Sequence, residues 1–202
     1  MNLIERAKNI IAKPKLEWNI IATEDTPIKN SIISYAIPLV LIGAIATFIG
    51  VGLIGTQTIL SGRVADVNMG IVNAIIYFLV GILSVTISAY VIDFLAPNFS
   101  SEKNIDKSAQ LAIYSNTPLW IASILHFFPS VLTSLVSLAA LIYGIYLWYL
   151  GLGPLKKTPE DKKATYIFVS ILIMIVAYFL ISFIIGMILF SVFGFGNNYK
   201  IV

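Results

Sequence analysis

His126 is the only histidine in the chain, which removes most of the chemistry that proteins build from clustered side chains. A zincin-type H-E-x-x-H site needs two histidines four apart, and zinc centres in general draw on several His, Cys and carboxylate ligands. Cysteine is absent, so there is neither a thiol nucleophile nor a disulfide framework. The five aspartates are Asp25, Asp66, Asp93, Asp106 and Asp161, and each borders a charge-free run instead of lying inside one. An aspartyl pair working inside such a run is therefore not available. There is no G-x-S-x-G turn and no glycine loop to cradle a phosphate. A row of polar residues inside a charge-free run lies in "AIYSNTPLWIASILHFFP", residues 112 to 129, where Tyr114, Asn116 and Thr117 precede Pro118. Hydroxyls and a carboxamide beside an imino acid offer hydrogen bonding at a helix break, and no catalysis, cofactor or metal is expected.

The elements that position this cluster follow from the composition. Of 202 residues, 58% are apolar and 11% charged, with a mean hydropathy of +0.92, against about 25% charged in an ordinary globular chain. No Asp, Glu, Lys or Arg occurs in 30 to 62, 67 to 92, 108 to 155 or 164 to 199. Each run exceeds the roughly 20 residues a helix needs to cross a bilayer. Helices are the spanning form expected, because hydrocarbon offers the backbone no partner and the runs lack the alternating polarity of barrel strands. The run 108 to 155 is long enough for two spans, with Pro129 at the reversal, whereas the apolar part of the last run suits one tilted helix. The reading is an all-α membrane bundle of five spans, about 31–54, 70–92, 109–128, 130–150 and 164–190. A cytoplasmic segment, 1–30, precedes the domain 31–193, and a short external tail, 194–202, follows it.

Basic residues set the orientation. Five spans place Arg6, Lys8, Lys13, Lys15, Lys29, Lys103, Lys107, Lys156, Lys157, Lys162 and Lys163 on one side and leave Arg63 and Lys200 on the other. Merging the third and fourth spans would divide the same residues almost evenly. The expectation is an N-terminus in the cytoplasm and a C-terminus outside. The formal charge of +3 and pI near 9.0 then reflect loops that face anionic lipid, and nothing points to nucleic acid.

The first 30 residues lack the apolar core of a secretory signal. Leu3, Ile4, Ala7, Ile10 and Ile11 recur at helical spacing until Pro14, which is the pattern of an amphipathic helix. Such a helix lies in the headgroup layer with Trp18 as an interfacial anchor, or it folds back on the protein. Thr26 with Pro27 and Thr158 with Pro159 read as N-cap and first-turn pairs that open the first and last spans. Small residues four apart, such as Ala46 with Gly50 and Ser84 with Ser88, allow helices to approach closely in lipid.

Pro118 has no N–H, so in a continuous helix the carbonyl of Tyr114 loses its partner and the ring crowds it. In hydrocarbon that carbonyl must find another donor. Thr117 and Asn116 are placed to supply one, and the third span is expected to break there with Asn116 turned toward protein.

Four stretches carry a resemblance: "AKPKLEWNII", the Asp93-to-Pro97 segment "DFLAP", the Tyr114-to-Pro118 segment "YSNTP", and "IYGIYLWYLGLGPLKKTPEDKKATY". Together they resemble bacterial members of the YIP family, named for Ypt-interacting protein. Where the family has D-L-Y-G-P and G-Y-S-x-x-P, this chain has "DFLAP" and "IYSNTP". The resemblance implies a five-span domain in a bacterial cytoplasmic membrane. Eukaryotic members act in vesicle traffic by associating with Rab-type GTPases and with one another, so it also implies a non-catalytic role in membrane organisation. Tyr114, Asn116, Thr117, Pro118, Asp93 and Pro97 are the candidate binding residues. The partners expected are membrane lipids and either other copies of the chain or other membrane proteins. A second reading is a lipid or small-solute path along a polar seam of Tyr77, Ser84, Ser88, Tyr114, Asn116 and Thr117.

Overall fold

The computed structural model describes residues 2–58 and 62–193; the tail 194–202 lies outside the described residues. Helix α1 (Leu3–Ala12) and α2 (Pro14–Ala22) form an N-terminal hairpin, with Pro14 as the first residue of α2. A continuous helix, Ile28–Ile54, follows. It contains α3 (Ile28–Ser31) and α4 (Ile37–Phe48), each running into a π-helical turn, at Ile32–Ala36 and Ile49–Ile54. The first π turn ends just before Pro38, where the missing N–H already interrupts the regular ladder. Two three-residue strands, β1 (Thr56–Thr58) and β2 (Gly62–Val64), pair antiparallel. Then come α5 (Val67–Leu95), a 3₁₀ turn over Ala96–Phe99, α6 (Ile105–Ser115), α7 (Thr117–Ala122) and a 3₁₀ turn over Ser123–Phe127. The long helices α8 (Val131–Lys156) and α9 (Glu160–Phe193) complete the bundle.

Four of these helices are long and apolar enough to cross a membrane: Ile28–Ile54, Val67–Phe99, Val131–Lys156 and Glu160–Leu189. Three of them begin within about four residues of a charge-free run, whereas Val131–Lys156 occupies only the second half of the run 108–155. The expected third span, 109–128, is instead three short pieces. Those pieces nonetheless run alongside the first long helix over its whole length. At one end the Ile28 N–H donates to Asp106 Oδ1 (2.7 Å), and at the other Thr47 Oγ1 lies 3.2 Å from His126 Nδ1.

One end of the bundle is basic and ionically tied. Glu102 N–H donates to the Lys156 carbonyl (2.8 Å), Lys157 Nζ to Glu102 (2.5 Å), and Lys162 Nζ to Ser100 Oγ (2.6 Å). The opposite end is closed by backbone contact. Gly52 packs on Gly70, and a Cβ at Gly50 would overlap the His126 carbonyl. Because that obstacle is backbone, it cannot rotate away. Gly50→Ala is therefore expected to cost about 1–3 kcal/mol by overpacking, seen as a lower melting temperature of the purified protein.

The N-terminal hairpin packs on the bundle. Ile10, Trp18 and Ile21 are fully buried, and Tyr143 Oη donates to the Ile11 carbonyl (2.7 Å). Trp18 sits in the groove that Gly151 leaves open on α8 and meets the Tyr114 ring at 6.4 Å. It is thus a core residue and not an interfacial anchor. Ile4, Leu16 and Ile20 remain on the outer face of the hairpin.

Neither Thr-Pro pair caps as expected. Helix α3 has no side-chain cap of its own, and its first N–H is taken by Asp106 from a distant helix. Thr158 uses its hydroxyl 2.8 Å from Ser101 Oγ, across two loops. Glu160 and Asp161 do fall in the first turn of α9, where the helix dipole favours acidic groups.

Candidate functional site: a broken helix beside a polar seam

Helix α6 ends at Ser115 and α7 begins at Thr117, with Asn116 between them at φ −82°, ψ −5°. The break falls where Pro118 removes a donor. The Tyr114 carbonyl is recovered by Thr117 Oγ1, which donates to it at 2.7 Å, while Tyr35 Oη lies 2.8 Å from the same hydroxyl. Thr117 is fully buried and Pro118 is also enclosed. Thr117→Val keeps the shape but strips the donor, leaving Tyr114 O and Tyr35 Oη without this partner in a dry setting. A loss of about 1–3 kcal/mol is expected, measurable as a shift in the detergent unfolding midpoint.

Asn116 is half-buried and donates through Nδ2 to the Ala112 carbonyl (2.8 Å). It also lines two adjoining cavities of about 310 and 400 Å³, which share Ser84, Ser88, Asn116, Leu119 and Tyr178 in their walls. The larger reaches toward His126, Thr47 and Asn73 at the non-basic end. The smaller runs between α5, α8 and α9, closed on the α8 side by Gly144 and Trp148. A Cβ at Gly144 would stand 2.8 Å from the Ser115 carbonyl, so glycine lets α8 reach the floor of the break.

The seam predicted from sequence is thus divided. Tyr77, Ser84, Ser88 and Asn116 line the cavities. Tyr114 and Thr117 face the other way. The Tyr114 ring packs edge-on against Tyr35 at 4.8 Å and lies beneath the Arg6 guanidinium at 5.4 Å. Arg6 itself donates to Glu17 Oε1 (2.6 Å) and to Glu24, so the N-terminal hairpin is latched over the Tyr114 side of the break. Lys107 adds to the latch by donating to the carbonyls of Ala22 (2.8 Å) and Glu24 (2.7 Å) at the end of α2.

Asp93 and Pro97 are elsewhere. Asp93 is buried at the basic end and accepts from Lys156 Nζ (3.3 Å) and Ser108 Oγ (3.2 Å); Lys156 also donates to Ser108 Oγ at 2.6 Å. This cluster joins α5, α6 and α8. Tyr166 Oη donates to the neighbouring Ile92 carbonyl, bringing in α9. Pro97 is exposed in the 3₁₀ turn after α5 and touches neither the break nor the ionic cluster in any described contact. Arg6 and Lys156 did not stand out in the sequence, since both read there as ordinary basic residues flanking a membrane. A hint was available in Lys156, which ends the longest charge-free run on the side where Asp93 ends another. Among the described residues, no three His, Cys or acidic side chains gather as metal ligands.

Long apolar helices, an interrupted one beside them and ionic ties gathered at one end define a polytopic helical membrane protein. The chain belongs to the Yip1 domain family, whose family model matches residues 8–184. Comparison with curated proteins and with solved structures returned no match.

Proposed function

We propose that this is a non-catalytic membrane adaptor with five crossings, the third of them the broken segment Ile105–Phe127. The N-terminal hairpin and the basic end face the cytoplasm and the C-terminus lies outside, in a bacterial cytoplasmic membrane. The chain acts by assembling with itself or with other membrane proteins. The observation that carries this reading is how the polar groups are distributed. The buried charged side chains Arg6, Glu17, Asp93, Lys156 and Lys163 are each paired; Arg6–Glu17 and Asp93–Lys156 join different elements near the basic end, and Lys163 pairs with Glu160 within α9. Helix α9, by contrast, buries little of its surface and has open space where a Cβ at Gly186 would stand. A residue without a side chain there allows a partner helix to approach closely. Cross-linking in native membranes followed by purification should capture a reproducible membrane partner or a second copy. Gly186→Leu should abolish that capture without changing the melting temperature, because nothing inside the bundle meets the new side chain. Unchanged capture in the variant would refute assembly through α9.

The two cavities favour a second reading, a path for a lipid or small solute. On that reading Asn116→Leu removes flux or scrambling in proteoliposomes while the protein stays folded and monodisperse. Silence of the wild-type protein in the same assay leaves the adaptor reading alone.

A further inference from the structure

Three buried polar atoms without a hydrogen-bond partner belong to residues that line the smaller cavity: Ser84 Oγ, Ser115 Oγ and Trp148 Nε1. Ser115 and Trp148 are more than nine-tenths buried. The three residues come from three different helices and lie at one depth. Trp148 is eight residues from the basic end of α8, Ser115 ten from that of α6, and Ser84 eleven from that of α5. At 1.5 Å per residue these are about 12–17 Å below the charged ends. Each headgroup layer is only about 5–8 Å thick, so the ring of polar atoms lies inside the hydrocarbon layer.

We infer that this groove binds one neutral glycerolipid of the diacylglycerol class, which enters sideways between α8 and α9. An indole N–H only donates, so its missing partner is an acceptor, and an ester carbonyl is the acceptor that a lipid without a charged head can carry below the headgroup layer. The serine hydroxyls can donate to the second ester or to the free hydroxyl of the glycerol. No Asp, Glu, Lys or Arg lines the cavity. A phosphate drawn to this level would be desolvated without a counter-charge, which excludes an anionic lipid head. The mouth of the groove is apolar and open: Leu141 is 47% exposed, Ile175 47% and Phe179 67%. Acyl chains leave there into the bilayer. A volume of about 310 Å³ is at the small end for a ligand pocket, enough for the glycerol and the first part of the chains.

The inference rests on the seam reading only in using the same cavity; it requires binding and no transport. The full-length protein in phosphatidylcholine nanodiscs is photolabelled with a diacylglycerol carrying a diazirine near the ester end of one chain. Labels are expected on α5 around Ser84, at Ser115 to Leu119, and on α8 around Trp148. Unlabelled dioleoylglycerol should displace them, and dioleoylphosphatidic acid should not. Trp148→Phe keeps the ring and removes the donor, so labelling should fall about fivefold, the equivalent of one hydrogen bond. Ala177→Phe, which fills the groove, should reduce it further. Overturning results are labels spread along the exposed faces of α8 and α9 without competition, equal displacement by phosphatidic acid, or unchanged labelling in Trp148→Phe. Specific labelling without lipid flux leaves this inference standing and removes the transport reading. Flux without specific labelling does the reverse.

Discussion

Asp93→Leu is expected to destabilise the bundle by about 3–5 kcal/mol, because it leaves the ammonium of a fully buried Lys156 without its counter-ion. The remaining donors of Lys156 would reach only Ser108 Oγ and the Asn104 carbonyl, neither of which carries a charge. The same argument gives the sign of the double variant. Asp93→Leu with Lys156→Met removes both charges from a buried place, and most of the lost stability should return. A thermal-unfolding series of wild type, two single variants and the double variant measures this coupling. If the double variant is as unstable as the sum of the singles, the pair is not a unit and α5, α6 and α8 are held together in some other way.

Arg6→Met is expected to have the second large effect, and a local one. Arg6 is 4% exposed, and its guanidinium bridges Glu17, which is 2% exposed, to Glu24. Removing it strands a buried carboxylate beneath α1 and uncovers the Tyr114 ring, so a penalty of about 3–5 kcal/mol falls on the hairpin. Arg6 pairs with Glu17, Glu24 and the Tyr114 ring, none of them on a long helix, so the bundle should survive. Hydrogen exchange should then speed up strongly across residues 3–22 while α5 and α8 stay protected. Arg6→Lys should not restore protection, since one ammonium cannot fork between two carboxylates as a guanidinium does. Uniform loss of protection throughout the protein would show that the hairpin is part of the global fold and not a latch upon it.

These two ion clusters mark where the sequence was hard to read. Charge-free runs located the four long helices, because the hydrocarbon layer imposes a length and a polarity on every helix that crosses it; the run 108–155, read as two spans, holds one long helix, α8, preceded by short pieces. The break at Tyr114 to Pro118 was legible for a similar reason: proline removes a particular donor, and hydrocarbon makes the loss matter. Thr117 duly serves the Tyr114 carbonyl. What local reasoning could not supply was any partner far away in the chain. Ile28 is capped by Asp106, 78 residues on, so the nearby Thr26 and Pro27 were a misleading signal. Arg6 and Lys156 counted correctly toward the charge asymmetry, yet nothing in a residue count distinguishes a solvated lysine from one enclosed beside an aspartate. Tyr114 and Asn116 are two positions apart, and the helix turns them to opposite sides of the break. Treating "YSNTP" as one site merged a latch surface with a cavity wall.

In the proposed topology a third crossing by the broken segment puts the hairpin, the Asp93–Lys156 cluster and the start of α9 on a single side, and sidedness tests it most directly. Lys103, Asp161 and Gly62 are exposed and suit single cysteine substitutions in this naturally cysteine-free chain. In intact cells an impermeant maleimide should label position 62 and spare 103 and 161, and permeabilised cells should label all three. Labelling of 161 from outside while 103 remains protected would mean that 105–156 crosses only once, and the five-crossing account would be wrong.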